Sequence, residues 1–444
     1  MKHLLFSAIT AMALTTILGA DELSDLKDQL KLLSERLSTL EANNKQQAEQ
    51  TNTLTNELIN VQNATSFGTI DMDKTEFGLG AAASKVYYSK NPLSIGGYGE
   101  LYYSDTVHTD AAESEAYRFV PYIGYKFSDT IILNSEIEIE HGGQEISIEQ
   151  LYIDFLIDPI FNLRVGQQVV PMGLLNQNHE PVLYNTVRRA DVETYLIPST
   201  WHENGLTFYG KSHDFNYAAG TVVALDMGLA NHDGAPEDNT FGKNWIRDGR
   251  RGGNETNNAI SNLAGVARLD YTGINGLLVG ASFYTGKAGP SNNGLEEGRL
   301  TIADAHVQYQ QEGVKIKALY TQSKLTHADS YLGAHTVGGT TVTATSHAQE
   351  AQGGYVNLEY NVLPYFTSEG AQLPLFFQYE NYNLATSITD GTSFGTTQSY
   401  SYGLNYFPHE QVVLKGEYKL RHNKNGVNTA DNEGIYSFGL GFIF

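Results

Sequence analysis

Apolar residues near the amino terminus recur at alternating steps of three and four, which places them on one side of an α-helix. Asn44, Gln47 and Thr51 interrupt this seam, and polar residues at such positions set the register and oligomer number of a coiled coil. The pattern predicts a self-associating coiled coil over residues 21–66. The alternative is one amphipathic helix on a globular surface. The apolar positions are Leu26, Leu30, Leu33, Leu37, Leu40, Leu54, Leu58 and Val61.

From residue 95 onward, polar and apolar residues alternate with a period of two, which predicts β-strands. The alternation is clearest in the last ten residues, where one face carries mostly small residues and the other carries Tyr436, Phe438, Leu440, Phe442 and Phe444. A strand of this kind suits a wall between lipid and a lumen, and a chain that ends on one resembles bacterial outer-membrane barrels.

Similar segments number about 16, and their connections alternate between short turns and long loops, as in single-chain outer-membrane barrels. The sequence therefore predicts an all-β fold: a transmembrane antiparallel β-barrel of about 16 strands over residues 95–444, preceded by a linker at 67–94 and the short α-helical coiled coil. Sixteen strands leave an aqueous channel. The predicted starts are near residues 95, 116, 130, 147, 161, 204, 214, 262, 276, 301, 313, 353, 373, 398, 411 and 434.

The first twenty residues predict a secretory signal peptide. Lys2 precedes an apolar run that ends in the small residues Gly19 and Ala20. A membrane anchor is the alternative, but the run is shorter than a bilayer span and acidic residues follow it directly.

Composition excludes several classes of protein. The chain has 444 residues with 44 glycines, 28 tyrosines and 19 phenylalanines, and only 18% of its residues are charged, which favours barrels and sandwiches over average soluble enzymes. After the signal peptide no apolar stretch reaches the roughly 20 residues of a membrane helix. Cysteine is absent, which excludes disulfides and thiolate metal sites. The net charge of −22 argues against a nucleic-acid partner.

Two stretches resemble the porin family named for the phosphate-selective porins O and P. The first, residues 84–100, reads SKVYYSKNPLSIGGYGE. The second begins at residues 169–181 with VVPMGLLNQNHEP, continues through RADVE at 189–193 and ends with IPSTWHENG at 197–205. The resemblance implies a trimeric 16-stranded porin for passive diffusion of small hydrophilic, often anionic, solutes.

Lumen charges follow from assigning the apolar residues to lipid, because the alternate residues then face the channel. Acidic and basic candidates are nearly balanced, so the net charge does not indicate the sign of ion selectivity. Arg118, Arg164 and Arg268 form only a sparse basic ladder with glutamates between them, whereas phosphate-selective members use a ladder and a lysine cluster.

The long connection from residue 171 to residue 203 follows the fifth predicted strand and is therefore the third external loop, which in large porins commonly folds into the lumen. A few charges at close range decide how a constriction selects ions. We predict a mixed constriction with a transverse field between the loop arginines and wall carboxylates. The alternative is that Arg188 and Arg189 only stabilise the loop through salt bridges with Asp191 and Glu193. The predicted pore and constriction residues are Arg188, Arg189, Glu180, Asp191, Glu193, Glu136, Glu138, Glu140, Arg118, Arg164 and Arg268.

No motif indicates an enzyme, a cofactor or a metal site. Gly391 to Gly395 matches the nucleophile-elbow pattern around Ser393, but it lies in a hairpin loop and lacks the strand, turn and helix of that motif. Phosphate-binding loops and metal-ligand histidine spacings are absent from the sequence. The acidic loop at 226–239 lacks the ligand spacing of an EF-hand.

The expected function is that of an outer-membrane porin that forms a water-filled, anion-preferring channel. The alternative is an outer-membrane anchor, adhesin or cell-wall tether that acts through the coiled coil and the external loops. Expected partners are outer-membrane lipid and lipopolysaccharide, further copies of the chain in a homotrimer, small hydrophilic solutes or anions, and peptidoglycan through the stalk; no nucleic acid is expected. The expected location is the bacterial outer membrane, with the N-terminal stalk in the periplasm.

Overall fold

The computed structural model describes residues 20–65, 69–76, 78–107, 112–228, 244–250, 262–291, 294–337, 340–366, 370–424 and 432–444. The chain divides into two compact units, Met1–Ser66 and Phe67–Phe444. Apart from Ala20, the predicted signal peptide lies outside the described residues.

The described part of the first unit is a helix, α1, over Ala20–Thr65. Neither glycine nor proline occurs in this range, so nothing in the backbone interrupts the helix. The leucines of the predicted seam from Leu26 to Leu54 are exposed; Leu33, for example, is 60% exposed. Of the helices among the described residues, none has the length and apolar character needed to cross a membrane.

The second unit is built on a closed barrel of sixteen antiparallel strands, which confirms the predicted fold class. Each strand pairs with its sequence neighbours except where a hairpin, β12 and β13, is inserted, so β11 pairs with β14. The barrel closes where β18 pairs with β1, with Ile443 opposite Tyr98. Every barrel strand begins within five residues of its predicted start.

The strands have the following bounds: β1 Leu93–Thr106, β2 Glu113–Ser128, β3 Ile131–Glu140, β4 Glu145–Asp158, β5 Phe161–Val169, β6 His202–Ser212, β7 Phe215–Val223, β8 Leu263–Ile274, β9 Leu277–Lys287, β10 Arg299–Gln311, β11 Val314–Leu325, β12 Gly333–Val337, β13 Thr340–Ala344, β14 Ala348–Asn361, β15 Pro374–Ile388, β16 Thr396–His409, β17 Val412–Lys424 and β18 Asn432–Ile443.

The polarity of the wall is the reverse of that in a soluble sandwich. On β3 the buried inner face carries Asn134, Glu136 and Glu138. On the outer face of β18, Tyr436 and Phe438 are 50% and 61% exposed. An apolar outer face and a polar inner face are typical of a barrel surrounded by lipid.

The connections differ at the two ends of the barrel. Six of the seven at one end are two residues long, and the seventh spans residues 362–373. The turn between β8 and β9 is Asn-Gly, and Gly276 has the φ of 77° that such a hairpin turn favours. The long connections lie at the opposite end of the barrel. Among the connections that the structure describes at every residue, the longest spans residues 170–201.

The interval 67–94, predicted as a linker, contains a second helix, α2, over Ala81–Tyr88. Its residues from Ala81 to Val86 are buried. A Cβ atom at Gly124 of β2 would clash with Val86, so this glycine lets the helix lie directly on the inner wall. Asn134 of β3 donates a hydrogen bond of 3.1 Å to the Ala83 carbonyl. The helix therefore lies inside the barrel.

Candidate functional site

The connection between β5 and β6, residues 170–201, is here called the inward segment. Tyr184 donates a hydrogen bond of 2.9 Å to Glu100 on β1. The Gly173 N–H donates to Asp304 on β10 at 3.2 Å. Because β1 and β10 lie on nearly opposite sides of the ring of strands, a segment that touches both crosses the lumen.

Apolar side chains of the inward segment pack against the wall. Trp201 and Ile197 are completely buried and Met172 is buried with them. The Trp201 ring meets Tyr284 of β9 edge to face, with 4.8 Å between ring centroids. Burial of several large side chains stabilises the folded segment by about 2 kcal/mol each relative to leaving them exposed to water.

Glu193 joins the two halves of the inward segment. Its Oε1 accepts the backbone N–H groups of Leu174 and Leu175 at 2.5 and 2.8 Å. Its Oε2 accepts the Tyr355 hydroxyl of β14 at 2.6 Å. Burial raises the pKa of the Glu193 carboxyl, and these three donors oppose that rise. Glu193 is therefore a structural anchor and has no arginine partner among the described residues.

Asp191 attaches the segment to β15 and β17, which lie across the ring of strands from β5 and β6. Arg421 and Lys419 of β17 lie 3.0 and 3.7 Å from its carboxylate, and Tyr382 of β15 donates a hydrogen bond of 2.9 Å. Burial alone would raise the pKa of Asp191, but the two cations lower it well below its usual range. We call Asp191, Lys419, Arg421 and Tyr382 the Asp191 cluster.

Arg118 on β2 organises the wall carboxylates. It pairs with Glu138 at 3.0 Å and Glu140 at 3.2 Å, and all three side chains belong to the wall. Glu100 lies 4.0 Å from both Arg118 and Arg189. Glu138 and Glu140 therefore face a wall arginine instead of the loop arginines of the predicted transverse field.

The loop arginines have separate environments. Arg189 is buried and donates a hydrogen bond of 3.2 Å to the His179 carbonyl. Arg188 is half exposed, pairs with Glu113 at 3.1 Å and lies over the Tyr102 ring. Among the ion pairs of the described residues, neither arginine is paired with Asp191 or Glu193, so the alternative of a salt bridge within the loop does not describe this structure.

The other two ladder arginines are paired with carboxylates. Arg164 on β5 makes two hydrogen bonds of 2.9 Å with Asp154, and Tyr87 of α2 completes the group. Arg268 on β8 pairs with Asp270 at 2.8 Å and donates to the Gly173 carbonyl of the inward segment. Each arginine of the ladder thus has a carboxylate partner that offsets its charge.

Glu180 links the inward segment to α2. Its two carboxylate oxygens accept the N–H groups of Ala82 and Ala83 at 3.2 and 3.0 Å. These are unpaired donors of the first helical turn, so the carboxylate caps the helix from another part of the chain. Burial raises the pKa of Glu180 to about 7, although both N–H groups lower it.

The raised pKa of Glu180 predicts a pH dependence. The folded chain keeps a proton on Glu180 up to about pH 7, whereas the unfolded chain loses it near the ordinary pKa of 4.5. The native state binds more protons in this window, so the free energy of unfolding should fall by about 3 kcal/mol as pH rises from 4.5 to 7. Above pH 7 this contribution should be constant.

Denaturant unfolding of the detergent-solubilised chain, compared with Glu180→Gln at several pH values, measures this effect. The glutamine variant cannot titrate, so the difference in unfolding free energy between the two chains should change across the window. Parallel curves would show that Glu180 does not titrate there.

Two lumen lysines hold the middle of the inward segment by its backbone. Lys317 of β11 donates a hydrogen bond of 2.7 Å to the Leu183 carbonyl. Lys415 of β17 donates to the carbonyls of Tyr184 and Thr186 at 2.8 and 3.0 Å. A cavity of about 10 Å³ adjoins Lys317 and Tyr184, at the lower limit for one water molecule. The segment therefore fills this part of the lumen.

The long loop predicted after the fifth strand folds inward, but several of its contacts were not predicted. Helix α2 and the residues His179 and Glu149 were not among the predicted site residues.

Ser393 lies between β15 and β16, where it accepts hydrogen bonds from Asn383 and Gly395 at 3.1 and 3.2 Å. A strand follows it, so the nucleophile-elbow context is not formed. Most of the acidic loop at 226–239 lies outside the described residues.

Comparison with known proteins gives one relative and several similar folds. No family model matches the chain. An uncharacterized protein of Aquifex aeolicus (strain VF5) is 32% identical over 381 residues, which cover 83% of each chain.

Among solved structures, the anion-selective porin from Comamonas acidovorans has a TM-score of 0.51 at 12% identity, and the match covers 79% of this chain and 99% of that one. OmpF of Salmonella typhi, solved with daunomycin, has a TM-score of 0.50 at 11% identity, covering 79% and 97% of the two chains. At such identities the likeness concerns the fold alone, which is that of bacterial outer-membrane porins.

Proposed function

Because the chain belongs to the same family as the Aquifex aeolicus protein, which is uncharacterized, we propose its function from the barrel itself. It forms a water-filled channel in the bacterial outer membrane for passive diffusion of small hydrophilic solutes and ions. The observation that carries the proposal is a closed barrel of sixteen strands with charged residues inside and exposed aromatic residues outside. The resemblance of two segments to the phosphate-selective porins O and P supports the same function.

The inward segment is proposed as the constriction of this channel. Its contacts with strands on opposite sides of the ring support this role, as does the small cavity beside it. Solutes would pass between the segment and the wall, where few side chains decide passage. Arg189, Glu180, Asp191 and Glu193 hold the segment, and Arg188 faces the water beyond it.

We propose a preference for anions that rests on lysines and not on the arginine ladder. Arg118, Arg164 and Arg268 each have a carboxylate within 3.0 Å. Lys317 and Lys415 instead donate to backbone carbonyls, which carry no formal charge. Among the ion pairs of the described residues, neither lysine has a carboxylate partner, so no direct ion pair offsets the positive charge that each places beside the constriction.

Replacing both lysines should change selectivity. In a planar bilayer under a salt gradient, the reversal potential of Lys317→Gln/Lys415→Gln should shift toward cation preference relative to the unmodified chain, because two positive charges leave the constriction. Lys324→Gln is the matched control, since Lys324 is exposed and pairs with Glu350 at 2.8 Å. An equal shift in the control would contradict the assignment to the constriction.

The amino-terminal region is proposed to be a periplasmic stalk. Residues 1–20 are the export signal, residues 21–66 associate as a coiled coil in a homotrimer, and residues 67–94 connect it to the barrel. The exposed leucines of α1 support this proposal, because a helix with an uncovered apolar seam gains stability by pairing. Lipopolysaccharide at the external loops and peptidoglycan at the stalk are proposed partners.

One observation favours a second function. The inward segment fills the lumen beside Lys317, as expected of a barrel that serves only as an anchor for a stalk and external loops. Such an adhesin or tether would pass no current when reconstituted, so conductance separates the two functions.

A further inference from the structure

Three titratable side chains meet where the inward segment touches the wall. They are Glu136 of β3, Glu149 of β4 and His179 of the inward segment, and all three are buried. One ligand atom from each lies within 4.8 Å of the others. The His179 Nε2 atom is 3.0 Å from Glu136 Oε1. Two ligands about 2 Å from one metal ion are separated by a similar distance.

A β-bulge places Glu149 in this group. The register between β3 and β4 shifts where Glu136 pairs with Gln150 and Ile137 pairs with Ile148. Glu149 is the extra residue, so it and its neighbour Gln150 are both buried. Bulges redirect side chains in this way and are frequent beside functional sites.

The carboxylate of Glu149 has an unused oxygen. Glu149 is 1% exposed, and its Oε2 atom is buried without a hydrogen-bond partner. A buried carboxylate oxygen without a donor is costly, and metal coordination is one way to satisfy it. The unpartnered oxygen of Glu149 is therefore an observation independent of the clustering of the three side chains.

The orientation of His179 also favours a metal. Its Nδ1 atom lies 2.8 Å from the Asn176 carbonyl, which can only accept a hydrogen bond, so Nδ1 carries the proton. In the neutral ring the Nε2 lone pair then points at the Glu136 carboxylate, which is also an acceptor. Either a proton on Nε2 or a metal ion between the two atoms resolves this contact, so the ring is oriented as a metal ligand would be. A histidine that donates its other N–H to a carbonyl is typical of metal sites.

Gln150 holds the second ligand in place. Its amide donates to the Oε2 atom of Glu136, which leaves Oε1 directed toward His179. Metal-ligating carboxylates usually have such a supporting hydrogen bond.

We propose that Glu136, Glu149 and His179 bind a divalent transition-metal ion of the zinc type. One imidazole and two carboxylates suit Zn²⁺, which takes nitrogen and oxygen ligands in four-coordinate sites. Ca²⁺ and Mg²⁺ prefer more oxygen ligands and rarely take histidine. The ion would fasten the inward segment to β3 and β4. Zinc binding does not rest on the proposed channel, because it is measured without current.

Titration of the full-length, metal-stripped chain in detergent with Zn²⁺ tests the site. We expect one zinc ion per chain in the unmodified protein, and binding at least about tenfold weaker in Glu149→Gln and His179→Gln. The matched control is His141→Gln, which removes the histidine from the other described group with suitable geometry, Glu140, His141 and Glu145 at the barrel rim. The control should bind as the unmodified chain does.

If a variant fails to fold, X-ray absorption spectroscopy still tests the site, because it identifies the zinc ligands in the unmodified chain. The sample is the unmodified chain with one equivalent of Zn²⁺. One imidazole among oxygen ligands is expected. The proposal is overturned if the unmodified chain binds no zinc ion, if only His141→Gln loses it, or if the spectrum shows no imidazole or several.

Discussion

Replacement of residues 174–199 by a short Gly-Ser linker should raise the single-channel conductance at least about threefold, because a 16-stranded barrel without its inward segment encloses a wide aqueous lumen. The replaced residues include Tyr184, which reaches Glu100 of β1 across that lumen. The replacement leaves β5 and β6 intact, with the Val170 N–H donating to the Trp201 carbonyl at 2.8 Å, so the wall itself should be unchanged. Planar-bilayer recording of both proteins in the same electrolyte measures the ratio.

A control for this replacement is the connection at residues 389–395, between β15 and β16. Its replacement by the same linker alters a long-end connection without removing the inward segment, so conductance should stay near that of the unmodified chain. Equal conductance in the two replacement variants and the unmodified chain would show that the segment does not limit the current.

The second large effect is expected from Asp191→Asn, which should lower the free energy of unfolding by about 3 kcal/mol. The substitution removes the carboxylate that pairs with Arg421 and Lys419, and it leaves the buried Lys419 and the partly buried Arg421 with fewer partners. The expected loss is at the low end of the range measured when buried ion pairs are broken, because Glu380 stays near Lys419 and Glu433 stays near Arg421. Equilibrium unfolding in denaturant, followed by intrinsic fluorescence, measures the loss.

The difference in unfolding free energy between the unmodified chain and Asp191→Asn should also depend on pH, with a definite sign. The lowered pKa keeps Asp191 charged in the folded chain at acidic pH, so its contribution is present above the usual aspartate range and disappears as pH falls through the folded pKa. The control is Asp390→Asn, since Asp390 lies in an exposed turn and accepts a hydrogen bond from Thr392. If both variants lost equal stability, the Asp191 cluster would not anchor the segment.

The barrel was predictable because its strongest signal is local. A wall between two environments needs alternation with a period of two, and this period gave strand starts within five residues of those observed. Helix α2 was missed because two turns of an alanine-rich helix have little stability in isolation. Its stability comes from Gly124, Asn134 and Glu180, which are distant in the sequence.

The sequence predicts where the inward segment lies but not which residues its side chains contact. Its length and its position after the fifth strand identified it. Its ion pairs and hydrogen bonds, however, are not between residues that are close together in the sequence. Arg189 and Asp191 are two residues apart, yet Arg189 bonds the His179 carbonyl and Asp191 pairs with Arg421. Glu149 faces inward because of a bulge, which shifts the strand register and cannot be read from alternation.

The most direct test of the proposed function is the single-channel current of the purified, unmodified protein in a planar bilayer under a salt gradient. The channel proposal predicts discrete, reproducible conductance steps with a reversal potential of the sign that indicates anion preference. Insertion of folded barrels without any current would contradict it and favour the anchor. The insertion itself can be checked by protease protection of the reconstituted chain.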